Sequence, residues 1–140
     1  MLKALLLPML CGCVLLMDAP VEADDKPDCK NAQTQADMNI CAQKGFDTAD
    51  KALNVQYLLT RKAAKARDAD NESIPDQQGA DAALVKGQRA WIAYRDAHCD
   101  AFAYQVHGGS LEMEFGLECL ADLTKKRTAE LRILEDGFRN

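Results

Sequence analysis

Three stretches of the chain repeat their apolar residues at helical spacing, and none alternates as a half-buried strand does. Met38, Ala42, Phe46, Ala49, Leu53 and Tyr57 recur at steps of 4, 4, 3, 4 and 4. Leu84, Gln88, Trp91, Arg95, Cys99, Phe102 and Val106 follow at 4, 3, 4, 4, 3 and 4. Leu120, Leu123, Arg127, Leu131, Leu134 and Phe138 complete the set at 3, 4, 4, 3 and 4. Steps of three and four keep a residue on one helix face, so each stretch must bury a stripe. The spacing predicts helices from Thr34 to about Lys65, over 81–107 and over 111–136. Thr34-Gln35-Ala36-Asp37 has capping-box spacing, Gly45 is a candidate kink, and Ser110 stands where it can cap the third helix. Glu112 and Glu114 suit that helix's positive N-terminal end. The simplest burial of three such faces is an all-α, antiparallel three-helix arrangement of long amphipathic helices. No internal repeat and no second domain is expected.

The first residues read differently. Met1-Leu2-Lys3 is a short positive start, Ala4–Met17 is almost unbroken apolar, and Val21-Glu22-Ala23 has small residues where signal peptidase requires them. The apolar run is shorter than the roughly 20 residues of a membrane span. Residues 1–23 are therefore expected to be a signal peptide cleaved near Ala23, and residues 24–140 an exported domain, periplasmic or secreted. A rival reading attaches lipid at Cys13, because Leu10-Cys11-Gly12-Cys13 approximates a lipoprotein box. It is disfavoured: it would leave Val14-Leu15-Leu16-Met17 as an apolar start to the mature chain. Cleavage leaves 16 Lys and Arg against 20 Asp and Glu, an acidic balance without the basic excess of a nucleic-acid binder or a protein held on anionic lipid. Nothing after residue 23 is apolar enough to span a membrane.

Four cysteines remain, and an even number in an exported chain reads as two disulfides. Cys99 and Cys119 are equidistant from Gly109, so two antiparallel helices turning at Gly108-Gly109-Ser110 bring them side by side. Cys29 and Cys41 are left to pair, tying the lead-in segment onto the first helix. A zinc site is disfavoured, since the mature chain has no Cys-x-x-Cys and His98 and His107 lack i, i+4 spacing.

The stripes contain polar residues. With one turn centred near residue 74 and the other at 109, Asn54 is level with Tyr94 and Arg95, and Trp91 with Arg127. Asp50, Asn54, Tyr57, Gln88, Trp91, Arg95, Thr124 and Arg127 are thus expected to share one region between the helices. Either they form a structural network, with an arginine answered by Asp50 and stacked on Trp91, or they line a polar ligand pocket. The structural reading is favoured because buried polar groups are usually paired internally.

Several short motifs share an order and spacing with a known family. Central is Gln88-Arg89-Ala90-Trp91-Ile92-Ala93-Tyr94-Arg95-Asp96-Ala97-His98-Cys99. Before it stand Thr34-Gln35-Ala36-Asp37-Met38-Asn39, Cys41, Ala49-Asp50, Leu53-Asn54 and Tyr57. After it come Gly108-Gly109-Ser110, Cys119-Leu120, Leu123-Thr124, Arg127 and Leu131. Over roughly residues 29–132 the chain resembles the lysozyme inhibitor LprI-like N-terminal domain family of exported bacterial helical proteins. The resemblance implies an envelope protein that binds and inhibits lysozyme.

An acidic partner suits that expectation, because lysozymes of animal secretions are typically cationic and opposite charge steers encounter. The candidate contact is the connection from Ala66 to Asp81, which holds Arg67 against Asp68, Asp70, Glu72, Asp76 and Asp81. Asp68, Asp70, Glu72, Ser73 and Asp76 are the expected target-binding residues, with Ser73 or Asn71 reaching a catalytic carboxyl. The plain alternative is a solvated helix–helix loop whose Pro75, Gly79 and Asp residues suit turns. A competing class is a non-enzymatic periplasmic binding module using the polar inter-helix region. Enzymatic activity is not expected. The chain has no Gly-x-Ser-x-Gly, P-loop or His-Glu-x-x-His motif, and the carboxylate pairs Asp47/Asp50 and Glu112/Glu114 fall on helix faces that are usually solvated. No cofactor or metal is implied.

Overall fold

A computed structural model describes residues 27–140; the expected signal segment, its cleavage site and Cys13 lie outside them. Three helices follow one another: α1 (Gln35–Asp70), α2 (Ala80–Ala103) and α3 (Glu112–Arg139). Short 3₁₀ turns, Pro75–Gln77 and Tyr104–Val106, stand at the two connections. The described residues contain no strand, so the fold is all-α, as expected. None of these helices is long and apolar enough to cross a membrane.

Thr34 caps α1: its hydroxyl oxygen accepts from the Asp37 backbone N–H at 3.1 Å and donates to the Asp37 carboxylate at 2.8 Å. The helix then runs through Gly45 without a break and past Lys65 to Asp70. Both differ from expectation, and Ala66, Arg67 and Ala69 supply the reason as residues that favour a helix interior. At 1.5 Å per residue α1 is about 54 Å long. Ser110 does not cap α3; Leu111 holds the N-cap position without a side-chain bond. Glu112 closes the turn instead, accepting from the Gly108 N–H at 2.8 Å while pairing with His107 Nδ1 at 2.7 Å. Gly108 is left-handed there (φ +76°), and a Cβ on Gly109 would meet the Val106 carbonyl oxygen at 2.9 Å. The turn therefore needs its glycines.

The α2–α3 hairpin turns at the expected glycines, whereas the α1–α2 pairs centre near residues 71–73, slightly before the expected 74. Arg61 meets Asp81 and Asp50 meets Arg95 across α1 and α2. Cys99 is bonded to Cys119, and Gln88 meets Arg127, across α2 and α3. Cys29 is bonded to Cys41, so both expected disulfides are present. Two reversals leave α3 parallel to α1: Gln35 Nε2 donates to Glu114 near the start of both helices, and Gln56 Nε2 to Glu135 farther along both.

The most deeply buried lines of α1 and α3 coincide with the apolar stripes only in part, sharing Ala49, Leu53 and Leu131 and otherwise taking in polar and small residues. On α1 the buried line is Ala49, Leu53, Gln56, Thr60 and Ala63; on α3 it is Ala121, Thr124, Thr128, Leu131 and Glu135. Leu58, Leu59, Ile133 and Leu134 face outward. Small and hydrogen-bonding side chains let these two helices approach closely, and each polar one has a partner. Thr60 Oγ1 donates to the Leu131 carbonyl at 3.0 Å, and Thr128 Oγ1 to the Thr124 carbonyl at 2.9 Å. Of the second expected stripe, Leu84, Gln88, Arg95 and Cys99 are buried, Trp91 and Val106 are half-buried, and Ala103 takes the inward place of the exposed Phe102. The apolar core is small: Leu53, Ala64, Leu84 and Leu131, flanked by Tyr57, Ala80, Trp91 and Phe138. It occupies the part of the bundle nearer the α1–α2 connection, while the disulfides fasten the other end.

Candidate functional site

Two regions carry the residues singled out in the sequence: the space between the helices at mid-height, and the connection that joins α1 to α2.

Between the helices the expected cluster assembles around two guanidinium groups. Arg95, buried on α2, donates from Nη1 to Thr124 Oγ1 at 3.3 Å and pairs with Asp50 at 3.5 Å. Its Nε donates to the adjacent Asp96 at 2.8 Å. The guanidinium carbon lies 5.2 Å from the Trp91 ring centroid and 5.4 Å from that of Phe46. Asn54 Nδ2 donates to the second oxygen of Asp50 at 2.9 Å. Arg127 donates from Nε to Gln88 Oε1 at 3.0 Å and from Nη1 to Glu130 at 2.9 Å, and it too approaches Trp91 at 5.9 Å. Seven of the eight expected residues thus form one continuous network. Tyr57 is the exception; it packs on the apolar core with Arg61 against its ring. Asp96 and Glu130 are partners outside the stripes, one and three residues from the arginines they serve, and Phe46 is a stripe residue not expected in the cluster.

Among the described residues every buried side-chain nitrogen and oxygen has a hydrogen-bond partner. No fully buried donor or acceptor of the cluster is therefore left unmet, which is the pattern of a structural network. A second network went unseen in the sequence. Gln56 and Glu135 are both buried; Gln56 donates to Glu135, which also pairs with Arg139. No signal at the level of one helix identifies such a pair, because it depends on how α1 and α3 face each other.

At the connection the acidic residues divide into two sets. Asp68 and Asp81 belong to the fold. Asp68, near the end of α1, accepts from the backbone N–H groups of Gly79, Ala80 and Asp81 at 2.9, 2.8 and 3.1 Å. It thereby answers the free donors at the N-terminus of α2 across the turn. These bonds, from Asp81 and Ala80 above all, hold its carboxyl below the usual carboxylate range. Arg61 grips Asp81 through Nε and Nη2, both at 2.7 Å, and that bond lowers the Asp81 carboxyl in turn. Asp70, Glu72, Ser73 and Asp76 are exposed, and none of their three carboxylates joins an ion pair with another described residue. Asp70 is the last residue of α1, whereas Glu72, Ser73 and Asp76 stand on the turn. Gln78 Nε2 braces that turn by donating to the Asn71 and Glu72 carbonyls at 3.2 and 3.0 Å. The result is a short, internally tied projection with outward carboxylates.

Glu112 is engaged by Gly108 and His107, and Glu114 accepts from Gln35 at 2.8 Å. Among the described residues no group of three or more His, Cys, Asp and Glu side chains is placed to hold a metal ion.

Comparison with known proteins adds two findings. A family model described as lysozyme inhibitor LprI matches residues 28–131. An uncharacterized protein of Rhizobium meliloti is 43% identical over 129 residues, which cover 91% of this chain and 93% of that protein. No solved structure matches the chain.

Proposed function

The chain belongs to the lysozyme inhibitor LprI family, and from that premise we propose that it is an exported envelope protein that binds and inhibits lysozyme or a related muramidase. Residues 1–23 act as its signal peptide, and the mature chain works in the periplasm or outside the cell, where both disulfides persist. It acts by occupying its target and performs no reaction of its own.

The braced acidic turn is the observation that carries the choice of contact. Asp70, Glu72 and Asp76 are exposed at one end of the bundle and join no ion pair among the described residues, and the turn that presents them is tied by Gln78. A pre-tied loop loses little freedom on binding, and its charge complements a cationic glycosidase. Ser73 lies between Glu72 and Asp76, where its hydroxyl can reach a catalytic carboxyl in the target's cleft. Asp68 supports this surface from behind and is not part of the contact.

A turbidity assay on bacterial cell walls, using oxidised residues 24–140, tests the reading. Dose-dependent inhibition is expected, and the triple variant Asp70→Asn/Glu72→Gln/Asp76→Asn should weaken it by about tenfold or more. Raising ionic strength should weaken the parent protein in the same direction. Full inhibition by the triple variant would move the contact elsewhere. No inhibition of goose-, invertebrate- or chicken-type lysozyme at micromolar protein would remove the lysozyme reading itself.

A further inference from the structure

The face of α1 turned away from the bundle has a composition unlike the rest of the chain. Lys44, Lys51, Val55, Leu58, Lys62 and Lys65 succeed one another at steps of 7, 4, 3, 4 and 3, opposite the buried line through Leu53 and Thr60. All six are exposed. Val55 keeps 61% of its surface open, Leu58 65% and the adjoining Leu59 43%, in a helix whose inner face buries glutamine and threonine. From Lys51 through Arg67 there are five basic residues and no acidic one, in a chain of formal net charge −5. Among the described residues, none of Lys44, Lys51, Lys62 and Lys65 joins an ion pair.

We propose that this outer face of α1, centred on Val55, Leu58 and Leu59 and flanked by Lys51, Lys62 and Lys65, docks the protein on the surface of an anionic phospholipid bilayer. The two components answer different parts of such a surface. Exposed aliphatic side chains enter the boundary between headgroups and acyl chains, while lysines lay their apolar stems along it and keep their ammonium groups among the phosphates. A soluble polyanion would engage the lysines but leave the aliphatic cluster in water. A cationic lysozyme would be repelled by the face, which separates it from the acidic turn. The acidic balance of the whole chain argues against anionic lipid only if charge is averaged. Ionic screening acts within about 8–10 Å, so a bilayer touching this face meets the local charge. Binding is peripheral: the helix lies along the surface and α2 and α3 face water.

The test is co-sedimentation of oxidised residues 24–140 with vesicles; this chain keeps all three helices and both disulfides but lacks the apolar N-terminal run. Vesicles containing about 30% phosphatidylglycerol in phosphatidylcholine should retain about tenfold more protein than phosphatidylcholine alone. Lys51→Glu/Lys62→Glu/Lys65→Glu should abolish that difference, and Val55→Ser/Leu58→Ser/Leu59→Ser should reduce binding to a similar degree. Helical circular dichroism and a cooperative melt check that each variant is folded. Equal retention on both vesicle types, or retention unchanged in the lysine variant, overturns the proposal. Loss in the lysine variant with full retention in the serine variant also overturns it, and assigns the face to a soluble polyanion. Lysozyme inhibition measured without vesicles is a separate readout, so either result can stand without the other.

Discussion

Arg95 shows how one side chain can knit three helices together. It is contributed by α2, its guanidinium reaches Thr124 on α3 and Asp50 on α1, and it lies near the rings of Phe46 and Trp91. A buried cation without such company would be costly. Asp50 and Asp96 both keep contact with water, so removing the arginine does not strand a buried charge. The expected loss is the ring contacts, the hydrogen bonds to Thr124 and Asp96, and a partly solvated pair with Asp50. Arg95→Ala should therefore lower stability by about 2 kcal/mol in urea unfolding. Lysozyme inhibition at temperatures where the variant stays folded should be unchanged, because the network is distant in role from the acidic turn. Lost inhibition in a folded Arg95→Ala protein would instead favour a ligand pocket between the helices.

Among the elements, the α2–α3 hairpin and the lead-in to α1 are stapled to different effect. Cys99–Cys119 closes a sequence separation of 20 between two helices that are both integral to the bundle. By chain entropy that cross-link is worth about 3 kcal/mol. Cys29–Cys41 closes a separation of 12, but it holds only the segment before Thr34 onto α1. Replacing Cys99 and Cys119 by alanine should lower the global unfolding free energy by about 3 kcal/mol, read as a lower urea midpoint. The same change at Cys29 and Cys41 should mainly release the lead-in, seen as faster local amide exchange with a smaller shift of the midpoint. Equal global shifts from both pairs would mean that the lead-in is as integral to the cooperative unit as α3.

The whole molecule should be sensitive to acid in a particular window. Asp28, Asp68, Asp81 and Glu112 each have a carboxyl held below its ordinary value, by Asn31, by the N-terminus of α2, by Arg61 and by Gly108 respectively. A carboxyl with a lowered folded pKa contributes its stability above the unfolded value. The contribution is lost as pH falls through the folded value. Unfolding free energy should thus vary little with these groups between neutral pH and about pH 5, then decline progressively below about pH 4. Asp68→Asn should flatten part of that decline and also lower the midpoint at neutral pH. An identical acid limb in parent and variant would show that Asp68 keeps its shift in the unfolded chain. At this scale the charges are also sorted in space, with carboxylates at the α1–α2 turn and lysines along the outer face of α1. Net charge alone conceals that arrangement.

Local sequence determined the helices, their approximate limits, the α2–α3 register, the approximate α1–α2 register and both disulfides. Helical periodicity, a capping box and a two-glycine turn act through neighbours in the chain, and a short turn transmits register to the next element. Seven members of the arginine network were legible for the same reason, since antiparallel partners are equidistant from a turn. The tertiary structure decided what α1 and α3 bury against each other. They are parallel and joined by no turn, so nothing local fixes their register. Close approach selected Gln56, Thr60, Thr128 and Glu135 for the interior and left Leu58, Leu59 and Ile133 outside. It also decided the fate of the acidic connection. Whether an aspartate faces a target or caps the next helix depends on where that helix's free N–H groups arrive, and they arrive at Asp68.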